Sequence, residues 1–407
     1  MPATLTTVAG ILKEVYEGDV TDQLQEDAVA MKRIQSNSEG VFEDAGGKFV
    51  RFPIRTQRNH GISYRGEGIQ LANSGQQAYL QAQESLKYGY GRVRFTGQVM
   101  GLANSNPKAF VNAMDQEISG LKSDVARDNN RIAWGSSSGF ANTGLTGIIT
   151  TLTGTNTSTT CNAPLNNQVE VGMALDQILA GAGTVVVAGG SVGFVVLSVA
   201  SNELSFVVDI SQTFVTGNHV ARTGNIGQEP FGLTALCTNT GTLHGINSAT
   251  AGNETWKASR DDSTSTTLNE ALMITACDDM RRKGGDKPTV VFCSLGVRRA
   301  YFNQLTSLRR YNEVKSWEGG LVGLSFNYGT EIPVVEDLDC PTSSMYFVNE
   351  KQMTVYSNQD WHFDDSDGNL LKWVPNFDAY EAYFKRYWQL VIHKRNASAR
   401  FTALTEA

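Results

Sequence analysis

The sequence predicts an α+β chain with a small β-rich domain inserted in its middle. Three observations predict it. Residues 48–99 alternate polar and apolar side chains at both ends of a wide polar loop, as an extended hairpin does. Residues 107–133 carry the start signal and apolar stripe of one long helix. From Gly135 to Trp256 positive charge nearly vanishes, Arg222 being the exception, and Thr, Ser, Gly, Asn and Val dominate before mixed α/β patterning returns.

Taken in order, residues 1–47 read as an N-terminal arm that packs on something else. Ile11, Leu12, Val15 and Tyr16 suggest one short helix, and Leu24, Ala28, Met31 and Ile34 fit another. The hairpin follows over 48–99. Phe49, Arg51, Pro53 and Arg55 alternate with Val50, Phe52 and Ile54 at its start; Arg92, Arg94 and Thr96 alternate with Val93, Phe95 and Gly97 on its return. The polar stretch from Thr56 to Gln83 lies between them, and loops of that length are usually functional. Pro53 suits an edge position.

Ser105 or Asn106 can cap the next helix, with Pro107 at its first position. Phe110, Met114, Ile118, Leu121, Val125 and Ile132 fall in one stripe, and the helix would span about 40 Å. Gly120 marks a bend or a close contact. Residues 100–139 are assigned to this unit and 140–258 to the inserted domain. Inside the insertion, Thr150–Thr160 reads as a Thr-rich loop. Thr184–Ala188, Phe194–Val199, Leu204–Ile210 and His219–Thr223 read as strands of a small barrel or sandwich over 169–223.

Residues 259–376 return to helices and strands. Leu268, Leu272, Thr275 or Ala276, and Met280 fit a helix face that ends in Arg281, Arg282 and Lys283, then Gly284-Gly285. A strand is predicted over Pro288–Ser294, a helix over Leu295–Leu305, and strands at Ile332–Val335, Met345–Val348 and Met353–Tyr356. In 377–407, Tyr380–Ile392 fits both periods, and its aromatic and β-branched content favours a strand.

Composition excludes several classes of function. At 407 residues the chain suits two or three domains, and 18% charge against about 25% in ordinary domains suits a β-rich protein. A net charge of -7 argues against a protein built chiefly to grip nucleic acid. Nothing approaches the ~20 apolar residues of a membrane span, and no signal peptide precedes the arm. Cys161, Cys237, Cys277, Cys293 and Cys340 lack ligand or CxxC spacing, so reduced buried thiols are expected and no metal site. The five histidines are scattered and form no readable catalytic arrangement. The glycines from Gly181 to Gly190 fail the spacing of a nucleotide loop. Asp364–Asp367 fails that of a calcium loop and reads as a solvated acidic turn. No catalytic residue and no cofactor is expected.

The order of elements, with KFVRFPIR at the start of the hairpin, YGYGRVRFTGQV on its return, the NPKAFVNAMDQEISGLKSDVARDNNR helix and FKRYWQLVIHKRNASARFTAL at the end, resembles the HK97-fold major capsid proteins of tailed bacteriophages. The resemblance covers nearly the whole chain apart from the inserted domain. It implies an E-loop at 48–99 that lies over a neighbouring subunit, a P-domain spine helix, an A-domain over most of 263–360, and a P-domain strand near 377–395. Function would then be self-assembly into hexamers and pentamers of an icosahedral head enclosing double-stranded DNA, in the virion and, during assembly, the host cytoplasm. Portal, scaffolding and decoration proteins are the implied partners, with no membrane; DNA contact would be weak and non-specific. An encapsulin-type shell is the alternative, and an α/β enzyme a more distant one.

Some members cross-link a Lys of the E-loop to a neighbour's Asn. No Lys lies between Lys48 and Lys87, so no such link is expected. The short run before the E-loop implies a separate scaffolding protein or none. The expected interface residues are Arg51, Arg55, Arg58, Arg65, Glu67, Arg92 and Arg94. Arginine favours such sites because its planar fork binds carboxylates bidentately. Their partners are expected among a neighbour's acidic groups, near Asp364–Asp367 or on its spine helix.

Overall fold

The computed structural model describes residues 28–37, 41–42, 49–98, 107–135, 149–152, 158–161, 169–178, 185–187, 194–200, 203–206, 219–225, 227–307, 324–366 and 368–406. Two mixed sheets and one long helix share a continuous core, and a two-stranded hairpin projects from it.

The first sheet is built on Ala379–Ile392, which is a strand of 14 residues. Lys87–Thr96 runs antiparallel along one side of it, from Thr96 opposite Ala379 to Lys87 opposite Trp388. Met353–Ser357, His362–Phe363 and Lys372–Trp373 pair along its other side, and Val41–Phe42 adds in parallel beyond Met353–Ser357. The double reading of this segment resolves by burial. Tyr380, Tyr383, Lys385 and Tyr387 are half-buried among buried neighbours, and from Trp388 to Ile392 every residue is buried as the strand enters the core.

The second sheet has the order Arg260–Asp262, Ser398–Phe401, Met345–Val348, Val290–Cys293, Glu331–Glu336, Leu324–Asn327. Its central strands are buried on both faces. Val291, Cys293 and Phe347 pack against Met273, Ala276 and Met280 of the helix Glu270–Gly284. Val290, Phe292 and Tyr346 pack the other way, in a cluster with Trp134, Val355, Leu390 and Ile392 of the long helix and first sheet. Asn269 caps the helix, its Oδ1 accepting the Leu272 N–H at 2.7 Å. Gly285, at φ 76, ends it in a left-handed turn that a side chain would strain. Asn269→Ala should cost about 1 kcal/mol in denaturant unfolding. No change would mean that the cap does not hold this helix end.

The long helix runs Pro107–Ala133, as the sequence predicts. Ile118, Leu121 and Val125 of its stripe are half-buried and Ile132 is buried; the side chains of Phe110 and Met114 lie outside the described residues. A Cβ added at Gly120 would meet nothing within 4 Å among the described residues, so close contact is not the reason for that glycine within the chain. Four cysteines, Cys237, Cys277, Cys293 and Cys340, are buried free thiols, and burial pushes Cys277 and Cys293 up to about 12.

The structure differs from the sequence reading in three places. The hairpin is Val50–Gln57 against Ala78–Glu84, and Lys87–Thr96 belongs to the first sheet. The competing partner, Ala379–Ile392, lies far away in sequence, and local alternation cannot reveal it. Met353–Ser357 joins the first sheet and Ser398–Phe401 the second, so the chain crosses between sheets where 259–376 and 377–407 were read as separate blocks. Residues 28–37 pack as the arm is expected to, with the helix Val29–Asn37 placing Ala30, Met31 and Ile34 in the main core. Leu24 and the first predicted helix lie outside the described residues. The two ends of the Thr-rich segment belong to strands, Ile149–Leu152 and Ser158–Cys161, while 153–157 lie outside the described residues.

With those two strands the insertion forms one seven-stranded sheet in the order His219–Arg222, Ala174–Ile178, Phe194–Ala200, Glu203–Phe206, Ser158–Cys161, Ile149–Leu152, with Val185–Val187 also on Ala174–Ile178. The described strands form antiparallel pairs, and the expected barrel or sandwich is not confirmed by them.

Candidate assembly interface

The hairpin has one apolar face and one polar face because its strands alternate. Phe52 and Ala82 are buried in the core, and Ile54 and Leu80 pack against its rim. Arg51, Pro53, Arg55, Gln81 and Gln83 face solvent. Beyond the strands, Gly61 and Gly75 bring the two limbs of the loop into contact. A Cβ on Gly75 would sit 2.5 Å from the Gly61 nitrogen, so neither position tolerates a side chain without a shift. The tip beyond this pinch carries Ile62, Tyr64, Ile69 and Leu71, exposed by 80%, 100%, 59% and 80%. Four large apolar side chains are thus exposed on one projecting loop, the kind of surface that interaction sites present.

The expected interface residues separate into two groups. Arg51 and Arg55 lie on the polar face of the hairpin, and Arg58, Arg65 and Glu67 on the exposed loop. Arg65 Nε donates to Ser63 Oγ at 3.3 Å, and Arg51 lies 5.7 Å from the Phe49 ring. Arg92 and Arg94 are instead on the first sheet. They flank buried Glu381 of the same chain at 3.8 and 3.7 Å, and Arg94 lies 4.7 Å from the Phe377 ring. The acidic turn is engaged within the chain too. Asp364 accepts from Lys372 at 2.7 Å and Lys385 at 2.8 Å, which holds its carboxyl below the usual range; Asp367 lies outside the described residues.

Two anchors tie the hairpin and the long helix, one each, to the body. The first is the socket at the root of the hairpin. Phe52 packs edge-on against His393 and His244 at 4.8 and 5.8 Å, and the Gln83 N–H donates to the His244 carbonyl at 3.0 Å. The second is the end of the long helix. Trp134 is fully buried against Phe292 and Tyr346, with ring centroids 5.7 and 5.2 Å away, and its Nε1–H donates to Asp337 at 3.0 Å. Asn130 Nδ2 donates to Asp337 and, at 2.7 Å, to Asp339, while its Oδ1 accepts the Met31 N–H at 3.2 Å. Asp337 also accepts the Ala30 N–H at 2.9 Å, so the helix Val29–Asn37 is tied to the long helix through one buried carboxylate. Arg131 donates to Glu229 at 2.6 Å and Asp128 at 2.9 Å. Asp128 accepts from Arg222 at 3.2 Å, and Arg127 pairs with Glu170, so the foot of the insertion is clamped to the helix by charge.

Burial pushes Asp339 up to about 6, against the Asn130 hydrogen bond and with help from Asp337. The folded carboxyl keeps its proton to higher pH than the unfolded one. Its contribution therefore favours the fold at low pH and is lost as pH rises through about 6. Asp339→Asn should raise stability near pH ~8 by up to about 3 kcal/mol and by only about 1 kcal/mol near pH ~4.5. Equal shifts in melting temperature at the two pH values would contradict this account of the carboxyl.

Sequence reasoning missed the apolar tip and the socket. The tip had a signal, because Ile62, Tyr64, Ile69 and Leu71 stand out in a loop that is otherwise polar and glycine-rich. The socket had none, because its rings come from distant segments.

Comparison with known proteins bears on the fold. Residues 199–368 match the family model of the SU10 major capsid protein. The structure is similar to the cyanophage A-1(L) capsid asymmetric unit, with a TM-score of 0.62 at 14% identity over 99% of this chain and 100% of that one. It also matches a structure of Mycobacterium phage Bobi, with a TM-score of 0.49 at 9% identity over 100% of both chains. No curated protein sequence matches. The chain has the HK97-type fold of tailed-phage capsid proteins, and the part of it that matches a family model matches a major capsid protein.

Proposed function

We propose that this chain is the major capsid protein of a tailed bacteriophage, a structural subunit whose copies close as hexamers and pentamers into an icosahedral head around double-stranded DNA. The observation that carries this reading is the hairpin. It is anchored at its root by Phe52 and Ala82 and presents an exposed apolar tip that its own chain leaves uncovered. On this reading the tip of each copy lies on a neighbour. Arg51, Arg55, Arg58, Arg65 and Glu67 add ion pairs around it, while Arg92 and Arg94, already beside Glu381, contribute through the surface of the sheet. Exposed pairs contribute only ~0–1 kcal/mol each, so the shell is held chiefly by apolar burial repeated at every copy. The wide loop offers no lysine for a covalent link.

Portal and scaffolding proteins are the further partners this reading implies. DNA contact is weak and non-specific in a chain of net charge -7. The protein then resides in the virion after assembly in the host cytoplasm and performs no catalysis. No helix among the described residues is long and apolar enough to cross a membrane.

Electron microscopy of the purified full-length chain, with size measurement in solution, tests the proposal. Closed shells, or rings and capsomers that close on addition of a scaffolding protein, are expected. Uniform monomers under all assembly conditions would overturn it, as would shells that enclose only protein cargo when expressed with the packaging machinery.

A further inference from the structure

His244, part of the socket at the root of the hairpin, is a buried titratable group, and shell assembly as described above does not use its ionisation. It sits at φ 50 between Thr242–Leu243 and Ile246–Asn247, a left-handed conformation uncommon for a residue with a side chain. Its imidazole is fully buried among Phe52, Phe231 and Trp256, with ring centroids at 5.8, 5.3 and 6.3 Å. Both ring nitrogens are used. Nδ1 lies 3.3 Å from Glu84 Oε2, at the end of the hairpin, and Nε2 accepts the Ile392 N–H at 3.3 Å, at the end of the long strand. An accepting Nε2 requires the neutral ring with its proton on Nδ1, donated to Glu84. The backbone carbonyl of the same residue accepts the Gln83 N–H at 3.0 Å. One residue therefore ties the root of the hairpin to the first sheet by both side chain and backbone.

We propose that His244 is a pH-sensitive latch on the hairpin: protonation of its imidazole opposes the Ile392 N–H with a second donor and frees the hairpin root, still joined to His244 through Glu84 and Gln83, from the end of the long strand. The bond that breaks is Ile392 N–H to Nε2, and the proton comes from solvent. The charged groups around the ring set the balance. Glu84, from the hairpin, favours the imidazolium. Arg395, from the turn Arg395–Ala397, opposes it; its guanidinium donates to the Trp256 and Thr240 carbonyls at 3.3 and 2.8 Å. His393 lies on the far side of Phe52, 4.8 Å from that ring, and bonds Thr354 at 3.2 Å. Phe231 and Trp256 bring no charge.

Burial holds the His244 ring below its ordinary value despite Glu84. The released state then binds the proton more readily than the latched one. The latch is fully closed above the ordinary histidine value of about 6.5 and weakens as pH falls below it. The latch belongs to the free subunit. Only its consequence, a change in arm angle during assembly, rests on the capsid reading.

The test is amide hydrogen exchange on the full-length, unassembled chain, read as protection factors so that the intrinsic pH dependence of exchange cancels. The Ile392 amide is expected to lose protection by up to about tenfold per pH unit below about 6.5, the limit for one linked proton, while the Gln83 amide, bonded to the His244 carbonyl, keeps its own. In His244→Gln the amide side chain can still accept from Ile392 and donate to Glu84, so its protection should not depend on pH. In Glu84→Gln the imidazolium loses its carboxylate, and release should move to lower pH. Protection that is independent of pH in the native chain would overturn the latch. So would an equal loss in His244→Gln or, should that variant not fold, an unmoved transition in Glu84→Gln. Failure to form shells would overturn the capsid reading and leave this result standing.

Discussion

Replacing residues 59–76 with a Gly-Ser pair yields a subunit that folds and no longer closes into shells. The strands Val50–Gln57 and Ala78–Glu84 remain, with Phe52 and Ala82 still in the core, so the melting temperature of the free subunit should change little. What is removed is the tip with Ile62, Tyr64, Ile69 and Leu71. Each such side chain contributes ~1.5–3 kcal/mol when buried on a partner, and the loss repeats at every copy. Sedimentation and electron microscopy should find subunits or small oligomers where the native chain gives shells. Shells of normal stability from this variant would show that the loop does not hold neighbours.

Trp134→Ala should be among the most damaging single changes to the fold, at about 3–5 kcal/mol for the lost side chain alone. The indole is wedged where the long helix meets the second sheet, against Phe292 and Tyr346. Its removal also leaves Asp337, already pressed towards its neutral form by burial, with one donor fewer. Denaturant unfolding of the variant should show this loss, or the protein should be recovered only as aggregate. Trp373→Ala, at a position 61% exposed, is the control and should stay within about 0.5 kcal/mol. Equal effects would mean that the junction at Trp134 is not the keystone of the core.

Local signals in the sequence were read well. The long helix has a proline at its first position and an apolar stripe, and it forms over Pro107–Ala133. The helix Glu270–Gly284 ends at its glycine stop, and the segment Tyr380–Ile392 is a strand, as its aromatic and β-branched residues favour. Pairing between distant strands was not legible. Lys87–Thr96 has the alternation of a hairpin strand, but that pattern says only that one face is buried; the choice between Val50–Gln57 and Ala379–Ile392 as partner is made by packing. The exchange of Met353–Ser357 and Ser398–Phe401 between sheets is of the same kind.

The interface was legible in part. Six arginines looked like one set because they share a stretch of sequence. Folding leaves Arg51, Arg55, Arg58 and Arg65 on the hairpin and its loop and sets Arg92 and Arg94 beside Glu381. Attention to charge passed over the apolar tip, where burial would contribute more than any exposed pair. Likewise His244 looked like one scattered histidine, since nothing local says that Phe52, Phe231, Trp256, Glu84 and Ile392 converge on it.

Hydroxyl-radical footprinting of Ile62, Tyr64, Ile69 and Leu71 in free subunits and in assembled particles tests the central claim most directly. All four are exposed on the single chain, Tyr64 completely. If the subunit is built to lay its hairpin on a neighbour, all four become protected on assembly while Trp373→Ala particles behave as native ones. Particles in which Tyr64 and Leu71 are modified as fast as in the free subunit would contradict the account.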